Sequence, residues 1–365
     1  MHPDVHARLA LSRVPGIGPA IFRNLLIHFG SATEVFRART QELCGVDGIA
    51  GATASALRNA DDAHREAESI LEHAERHDIQ ILCALDDDFP RRLKQVSGVA
   101  PVLYYRGTAD LDNPRSLAVV GTRGMSSRGA RQIDRLLDPL AEYSPLVMSG
   151  LAYGVDIYAH RRCLQAGLPT VAVIGSGFDN LYPQAHARTA RQMVEAGGGV
   201  LSAYPYWMRP AREHFPARNR LVALLSDLTV VVESAARGGS MITARMAHEL
   251  RRKVGACPGR GGDPLTEGCN QLIKRGHAHL VEGAQDIVDL MGWKGQVAGH
   301  QRRLFDDLDD AERAIVAHLR DRDGVKVDEL HLTLGEPPAR LAGQLLMLEM
   351  KGVIAALPGQ RYRLC

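Results

Sequence analysis

The chain has 365 residues, with 44 Lys and Arg against 42 Asp and Glu, and a formal net charge of +2. This length is enough for two or three domains and a sizeable core. The mean hydropathy is −0.14, and no apolar run approaches the roughly 18 residues of a membrane helix, so we predict no membrane span. The opening MHPDVHARLALSRVPGIG lacks a long apolar segment, which predicts no signal peptide.

The six cysteines are scattered along the chain and form no C-x-x-C pair. This spacing fits neither a zinc site nor a disulfide framework. We therefore expect a cytoplasmic protein without a bound metal.

Composition divides the chain into four segments. Residues 1–75 are rich in Ala, Leu, Glu and Arg and are predicted to be helical. Residues 80–292 alternate short apolar strands with helical stretches. Residues 293–310, WKGQVAGHQRRLFDDLDD, are predicted to form a linker, and residues 311–365 a small helical domain ending in RYRL.

The apolar runs of the second segment recur every 25–30 residues and mostly end near Gly or Ser, as in βαβ units with a parallel sheet. The stretches IQILCAL and PVLYYRG add edge strands before the main series. The predicted strands of that series are Ser116–Val120, Leu146–Ser149, Thr170–Ile174, Val200–Ser202, Leu228–Glu233, Lys253–Cys257 and His279–Val281.

A Gly-rich turn follows the first of these strands, in SLAVVGTRGMSSRG, where an α/β protein holds a phosphate. The spacing of Gly121, Gly124 and Gly129 is not that of a dinucleotide fingerprint, and the second strand ends in Ser149-Gly150 with no acid for a ribose. No Lys follows a Gly, which excludes a Walker P-loop, and no G-x-S-x-G elbow is present. We therefore predict no cofactor.

One pair of residues has the spacing of a hydrolytic site. Asp156 and His160 lie four residues apart, on one face of a predicted helix. The pair is either hydrolytic or a packing pair that stabilises the helix, and we favour packing.

Four Gly/Ser turns follow successive strands: VGTRG (120–124), SGLAYG (149–154), IGSGFD (174–179) and RGGSMITA (237–244). In an open parallel sheet they line one edge, where backbone N–H groups at helix N-termini favour anions. A row of four such turns suits a polymer better than one small ligand. The candidate binding residues of these turns are Gly121, Ser149, Gly150, Gly175, Ser176, Gly177, Gly239 and Ser240.

The loop RPAREHFPARNRLVALLSD (209–227) places Arg209, Arg212, Arg218 and Arg220 around Phe215. Residues 201–260 hold ten Lys and Arg against four Asp and Glu. Arginines around an aromatic ring suit single-stranded nucleic acid, because phosphates pair with Arg and a base stacks on the ring. The alternative is a Phe packed in the core with solvated arginines around it.

At these residues the sequence resembles the DprA/Smf family of DNA-processing proteins. The resemblance covers about residues 80–292 and rests on VGTRGMSSRG, SGLAYGVDIYAH, VIGSGFDNLYP, HFPARNRLVALLSD, VVESAARGGSMITARMA and GCNQLIKRGHAHLVEGAQDI in the family's order. It implies an extended Rossmann-like domain that binds single-stranded DNA, forms homodimers and is not an enzyme. It further implies a recombination mediator that protects incoming DNA and loads RecA in natural transformation. RecA and single-strand-binding protein are the partners it suggests.

The resemblance also assigns individual residues. Arg123 would hold a DNA phosphate, and Phe215 would meet a base. The full set of matching positions is Gly121, Thr122 and Arg123 in the first turn, Arg212 and Phe215 in the loop, and Arg218, Asn219 and Arg220 at the helix start. The chain departs from the family pattern at Tyr153, where a small or basic residue is common, and at His186, where Asn is usual.

The flanking segments admit two interpretations each. VPGIGPAIFRNLLIHFG (14–30) resembles a helix-hairpin-helix turn that meets a phosphate, or a SAM-like bundle whose turn only needs glycine, and we favour the latter. LAGQLLMLEMKGVIAALPGQRYRL (341–364) looks like the last helix and β-wing of a winged-helix domain, which binds duplex DNA or a protein partner.

Two other classes of function remain. The fold resembles that of the nucleotide-hydrolysing LOG group, and RGGSMITARMAHE keeps Gly238, Gly239 and Thr243 with Glu249 beyond, but lacks the Pro and the Gly-Thr pair of that group's motif. A release of base from a nucleoside monophosphate would reveal such an enzyme. A structural dimeric adaptor is the other alternative, and it would show no salt-dependent DNA binding.

Overall fold

The computed structural model describes residues 4–94, 96–294, 310–319, 324–350 and 353–364. The chain divides into two compact units, Met1–Trp293 and Lys294–Cys365. Of the predicted linker 293–310, residues 295–309 lie outside the described residues.

Six helices form the N-terminal part of the first unit. Gly16, in the turn between the first two, has a φ of +88°, the left-handed region that favours glycine. Ala63, Ala67 and Ile70 recur at helical spacing and bury one face of the sixth helix. The helices are α1 (Val5–Arg13), α2 (Pro19–Phe29), α3 (Ala32–Arg37), α4 (Thr40–Leu43), α5 (Gly51–Arg58) and α6 (Asp61–Arg76).

Nine strands form one sheet in the order β1-β2-β6-β5-β4-β3-β7-β8-β9. β2 pairs with β1 and β6 in antiparallel fashion, and every other pairing is parallel. The strands are β1 (Gln80–Cys83), β2 (Val102–Gly107), β3 (Ser116–Val120), β4 (Leu146–Ser149), β5 (Thr170–Ile174), β6 (Gly199–Ser202), β7 (Leu228–Val231), β8 (Lys253–Ala256) and β9 (His279–Leu280). The predicted α/β fold with a largely parallel sheet is confirmed.

The central strand β3 shows why these runs are continuously apolar. All five of its residues are buried, with Leu117 and Val119 in one hydrophobic cluster and Ala118 and Val120 in another. Both faces of the sheet are thus covered. The helices of this part are α7 (Arg91–Lys94), α8 (Ser127–Leu137), α9 (Val155–Ala166), α10 (Ala187–Glu195), α11 (His214–Leu225), α12 (Gly239–Glu249), α13 (Glu267–Lys274) and α14 (Ala284–Met291).

The N-terminal helices pack against the sheet within the same compact unit. The ring of His73 on α6 stacks on Tyr206 with centroids 3.8 Å apart, and Ser69 Oγ lies 2.8 Å from the Tyr206 hydroxyl. Arg8 on α1 forms an ion pair with Asp86, beyond β1. The predicted boundary at 75–80 therefore separates two kinds of secondary structure within one compact unit.

The second unit is a small domain with its own core, in which Leu330, Leu345 and Ile354 are buried. Its sheet has the order β10-β12-β11, and the β11–β12 hairpin is the predicted wing. This confirms the winged-helix prediction. Its elements are α15 (Asp310–Leu319), β10 (Val325–Lys326), α16 (Val327–Leu334), α17 (Pro338–Met350), β11 (Ile354–Leu357) and β12 (Arg361–Leu364). Within the described ranges, no helix of either unit is both long and apolar enough to cross a bilayer.

Candidate functional site

A cleft of about 460 Å³ opens at the carboxyl ends of β3, β4 and β7. β3 neighbours β4 on one side and β7 on the other. Successive strands are thus added in one direction up to β6 and in the other direction from β7, and open α/β sheets bind ligands at such a switch point. Ten of the fifteen predicted binding residues line the cleft: Gly121, Thr122, Arg123, Gly150, Arg212, Phe215, Arg218, Asn219, Gly239 and Ser240.

The turn after β3 is held by its backbone. The Thr122 N–H donates to the Glu233 carbonyl at 2.7 Å, and the Thr122 carbonyl accepts from the Val155 N–H at 3.2 Å. A Cβ on Gly121 would lie 2.9 Å from the Glu233 carbonyl oxygen, so only glycine fits this close approach. The fixed turn leaves the side chain of Arg123 exposed at the cleft.

Arg123 and Phe215 meet across the cleft. The Arg123 guanidinium lies 5.8 Å from the centre of the half-buried Phe215 ring. Arg212, which is also exposed, lines the same cleft from the loop before α11. In the part of the chain that the structure describes, neither Arg123 nor Arg212 forms an ion pair with a carboxylate. Both positive charges can therefore meet an anionic ligand.

The N-terminus of α12 forms another wall of the cleft. Gly238 is its N-cap, and among the described residues no side chain caps this helix end. A Cβ on Gly239 would meet nothing within 4 Å, so the backbone here is open to a ligand. The Ser240 hydroxyl donates to Ser234 Oγ at 2.8 Å and thereby orders the helix start. Uncapped N–H groups and the helix dipole are the features by which a helix N-terminus favours an anion.

Arg218 is placed differently from the prediction. It is buried, and its guanidinium donates to the carbonyls of Gly150 and, at 3.1 Å, Val173. Burial lowers the pKa of Arg218, and the nearby Asp156 opposes that shift. Burial raises the pKa of Asp156, and the charge of Arg218 opposes it. Arg218 lies 5.8 Å from the Phe215 ring centre, and its burial on protein carbonyls argues against a phosphate contact.

Arg220 also binds protein groups. Its guanidinium donates to the carbonyls of Ser97 and Gly98 at 2.8 and 3.0 Å, which ties α11 to the segment before β2. Asn219, between the two arginines, is half-buried and lines the cleft. The RNR stretch thus presents its Asn to the cleft, while both arginines are engaged in the fold.

The remaining predicted residues lie outside the cleft. The Ser149 hydroxyl donates to the Val119 carbonyl at 2.6 Å and is buried. Ser176 is buried too, and the Gly175 carbonyl lies 3.2 Å from His214 Nδ1. A Cβ on Gly177 would collide with the backbone of Pro205 and Tyr206. The third turn therefore packs against its neighbours, and the predicted row of four open turns narrows to the turns after β3, β4 and β7.

Asp156 and His160 do not form a hydrolytic pair. His160 is fully buried, and its Nδ1 lies 2.7 Å from Thr170 Oγ1. Burial lowers the pKa of His160 to about 3, and the nearby Arg218 and His186 add to this shift. The favoured packing interpretation agrees with this geometry.

Tyr153 and Tyr182 lie beside the cleft, although neither is among the predicted binding residues. Both rings are exposed, and they line a small hollow together with Arg123 and Phe215. Tyr182 lies in the LYP stretch after the third turn, and a pair of tyrosines following Gly-rich turns is the only signal that was available.

In the described ranges, no group of three or more His, Cys, Asp or Glu is arranged to hold a metal.

The fold and the cleft define a class: a multidomain α/β protein with a cleft at the switch point of its sheet and a winged-helix domain in its second unit. The family of DNA recombination-mediator protein A matches residues 80–292. The DprA-like N-terminal HHH domain matches residues 3–69, and the DprA winged helix domain matches residues 302–360. The chain belongs to the DprA/Smf family.

The N-terminal match corrects one interpretation. A SAM-like bundle is the favoured expectation for the first segment, whereas the matching family is the helix-hairpin-helix domain over residues 3–69. The exposed Gly16 and Gly18 of the turn before α2 fit that hairpin.

The chain is 39% identical over 268 residues to the putative DNA processing protein DprA of Mycobacterium tuberculosis, an alignment that spans 72% of this chain and 68% of that protein. The X-ray structure of DprA from Streptococcus pneumoniae is similar with a TM-score of 0.66 at 30% identity, over 80% of this chain and 99% of that one. DprA from Helicobacter pylori, described for its single-stranded DNA binding mode, has a TM-score of 0.53 at 26% identity, over 60% and 97% of the two chains.

Proposed function

We propose that the protein binds single-stranded DNA in the cleft at the carboxyl ends of β3, β4 and β7 and acts as a recombination mediator. The observation that carries this proposal is the pairing of the exposed Arg123 with the half-buried ring of Phe215, at 5.8 Å, beside the open N-terminus of α12. Charge for phosphates and a ring for a base lie within one cleft. The description of the Helicobacter pylori relative by its single-stranded DNA binding mode supports the proposal.

The phosphates bind to three groups. Arg123 and Arg212 provide unpaired positive charge, and the N-terminus of α12 provides backbone N–H groups that need no counter-charge. None of these groups reads a base edge, so the binding is tolerant of sequence.

Phe215 distinguishes a single strand from a duplex. Its ring is half-buried, with Arg123 and Arg218 each 5.8 Å from its centre, which fixes its orientation. A base stacks on such a ring only when it is unpaired and unstacked from its neighbours. We therefore expect the cleft to prefer single strands.

We propose for this protein the biological role that the family resemblance implies. The bound strand is protected and passed to RecA during natural transformation, with single-strand-binding protein as a further partner, and the protein works as a cytoplasmic homodimer. Two clefts on one strand would raise the affinity by making the second contact intramolecular. Sedimentation at micromolar concentration tests the dimer: we expect a dimer, and a monomer with full DNA affinity would contradict it.

The protein is proposed to bind without catalysing a reaction. Asp156 is buried against Arg218, and Glu249 lies on a separate hollow with Arg245 and His248, at the far end of α12 from the cleft. A carboxylate free to act on a nucleotide in the cleft is thus missing among the described lining residues. An assay for base release from nucleoside monophosphates tests this, and turnover would favour the nucleotide-hydrolysing alternative.

Competition between strands tests the binding proposal. A fluorescent single-stranded oligonucleotide bound to the full chain is displaced by unlabelled single strand or by the matched duplex at one salt concentration. We expect single strand to compete at a lower concentration than duplex. Equal competition would contradict the role of Phe215.

A further inference from the structure

Two tyrosines outside the predicted site have large exposed rings. Tyr153 is 48% exposed and Tyr182 is 46% exposed, although aromatic rings of this size usually bury most of their surface. Both line one hollow that continues from the cleft and that also includes Arg123 and Phe215. Their position beside the cleft indicates a role toward the same ligand.

Both rings are held in place by other rings. Tyr182 meets Phe215 edge-to-face, with centroids 6.3 Å apart and an interplanar angle of 63°. Tyr153 packs on His186, with centroids 4.7 Å apart and an angle of 68°. His186 is itself buried, and its Nδ1 lies 2.7 Å from the Leu151 carbonyl. The two exposed rings are therefore preorganised and lose little freedom on binding.

The hollow has a positively charged side chain at its wall, which a polyanion requires. The guanidinium of Arg123 lies between the cleft and the hollow, and it is the only exposed charged side chain among the described lining residues of the hollow. A flat uncharged group stacks on a tyrosine ring while its attached phosphate meets Arg123. Unpaired nucleobases of a single strand combine both features.

We propose that Tyr153 and Tyr182 form a second base-stacking surface, which takes the bases next to the one on Phe215. This inference rests on the proposed function, because it extends the same strand beyond the cleft. The strand then follows one line from the N-terminus of α12, past Arg123 and Phe215, to the two tyrosines.

Base-bearing and abasic oligomers of equal length test this surface. The probes are a thymidine oligonucleotide and a tetrahydrofuran abasic oligomer with the same phosphates, measured by anisotropy competition. Tyr153→Leu and Tyr182→Leu should each weaken thymidine oligomer binding by about 5- to 100-fold. They should leave abasic oligomer binding unchanged, and Tyr153→Phe and Tyr182→Phe should bind as the wild type does. Equal loss for both oligomers, or no loss, would overturn the inference.

Two controls keep the result interpretable. Leu280→Ala removes an exposed apolar side chain from β9, at the edge of the sheet and outside the residues that line the cleft and the hollow, and should change neither affinity. If a leucine variant fails to fold, a second measurement uses wild-type protein and a strand that carries 2-aminopurine at successive positions. Quenching of the 2-aminopurine fluorescence at two or more adjacent positions supports the second surface. Quenching at one position contradicts it. Wild-type protein that binds neither oligomer would instead overturn the proposed function.

Discussion

Two arginines lie at the same distance from the centre of the Phe215 ring, yet their environments are opposite. Arg123 is exposed and Arg218 is buried on carbonyls beside Asp156. Arg218→Met should therefore lower the free energy of unfolding by about 3–5 kcal/mol, because it leaves Asp156 buried without its partner. Arg123→Ala should leave stability within about 0.5 kcal/mol and weaken DNA binding. Urea unfolding and anisotropy on both variants check this.

The pair can be tested without relying on one variant. Adding Asp156→Asn to Arg218→Met removes the uncompensated charge and should recover part of the lost stability. No recovery would show that Arg218 acts through packing alone.

Under the proposed function, Phe215 stacks on a base and adds no charge to the binding. Phe215→Ala should cost roughly 1–3 kcal/mol of single-strand affinity and leave the salt dependence unchanged. The half-buried ring should contribute less to folding than the roughly 3–5 kcal/mol of a core Phe. Thermal unfolding and binding measured on the same protein separate the two effects. A folded variant with wild-type affinity would contradict stacking.

His160 makes stability depend on pH. Its pKa is lowered from 6.5 to about 3 in the folded chain, so below pH 6.5 the unfolded chain takes up a proton that the folded chain does not. The His160 contribution is therefore present above pH 6.5 and is lost as the pH falls from 6.5 toward 3, by about 1.4 kcal/mol per unit. Relative to His160→Gln, wild type should lose roughly 2 kcal/mol between pH 7.5 and 5 in urea unfolding. Parallel pH profiles would contradict the burial of a neutral His160.

At the scale of elements, the N-terminus of α12 offers a substitution that separates folding from binding. Gly239 is the first residue of the helix and has open space at its Cβ position. Gly239→Asp places a carboxylate where the helix dipole favours it, so stability should hold or rise by about 0.3–1 kcal/mol. The same charge repels phosphate, so single-strand affinity should fall, whereas the matched Gly239→Asn should bind more tightly than the Asp variant. Equal affinity of the two variants would exclude this helix end as a phosphate site.

The central strands were predictable from the sequence, because both faces of the sheet are covered there and these strands are nearly continuous apolar runs. Ser116–Val120, Leu146–Ser149 and Thr170–Ile174 coincide with the predicted ranges, and the other four agree within two residues at either end. The cleft was also predictable, because glycine turns that follow parallel strands lie together at one edge of the sheet.

Which polar residue of a turn faces the ligand was not predictable. Ser and Arg commonly bind ligands when they are exposed. Ser149 and Arg218 are instead buried, because β3 packs against β4 and α11 packs on the sheet. The exposed faces of Tyr153 and Tyr182 were missed because exposure depends on contacts with His186 and Phe215, far away in sequence.

For the whole molecule, sequence composition separated the helical segment from the sheet segment but did not predict that they pack into one unit. The stacking of His73 on Tyr206 and the ion pair of Arg8 with Asp86 join residues far apart in the chain. Such long-range contacts leave no local periodicity in the sequence. The winged-helix hairpin, by contrast, is local and was predicted.

The central claim is that a single strand binds in the cleft mainly through its phosphates. The most direct test is the slope of log K against log salt for a single-stranded oligonucleotide, measured for wild type and for Arg123→Ala. If Arg123 and Arg212 each neutralise one phosphate, the slope is about −1.4, and the loss of Arg123 reduces its magnitude by about 0.7. A flat response in wild type, or the same slope in both proteins, would contradict the account.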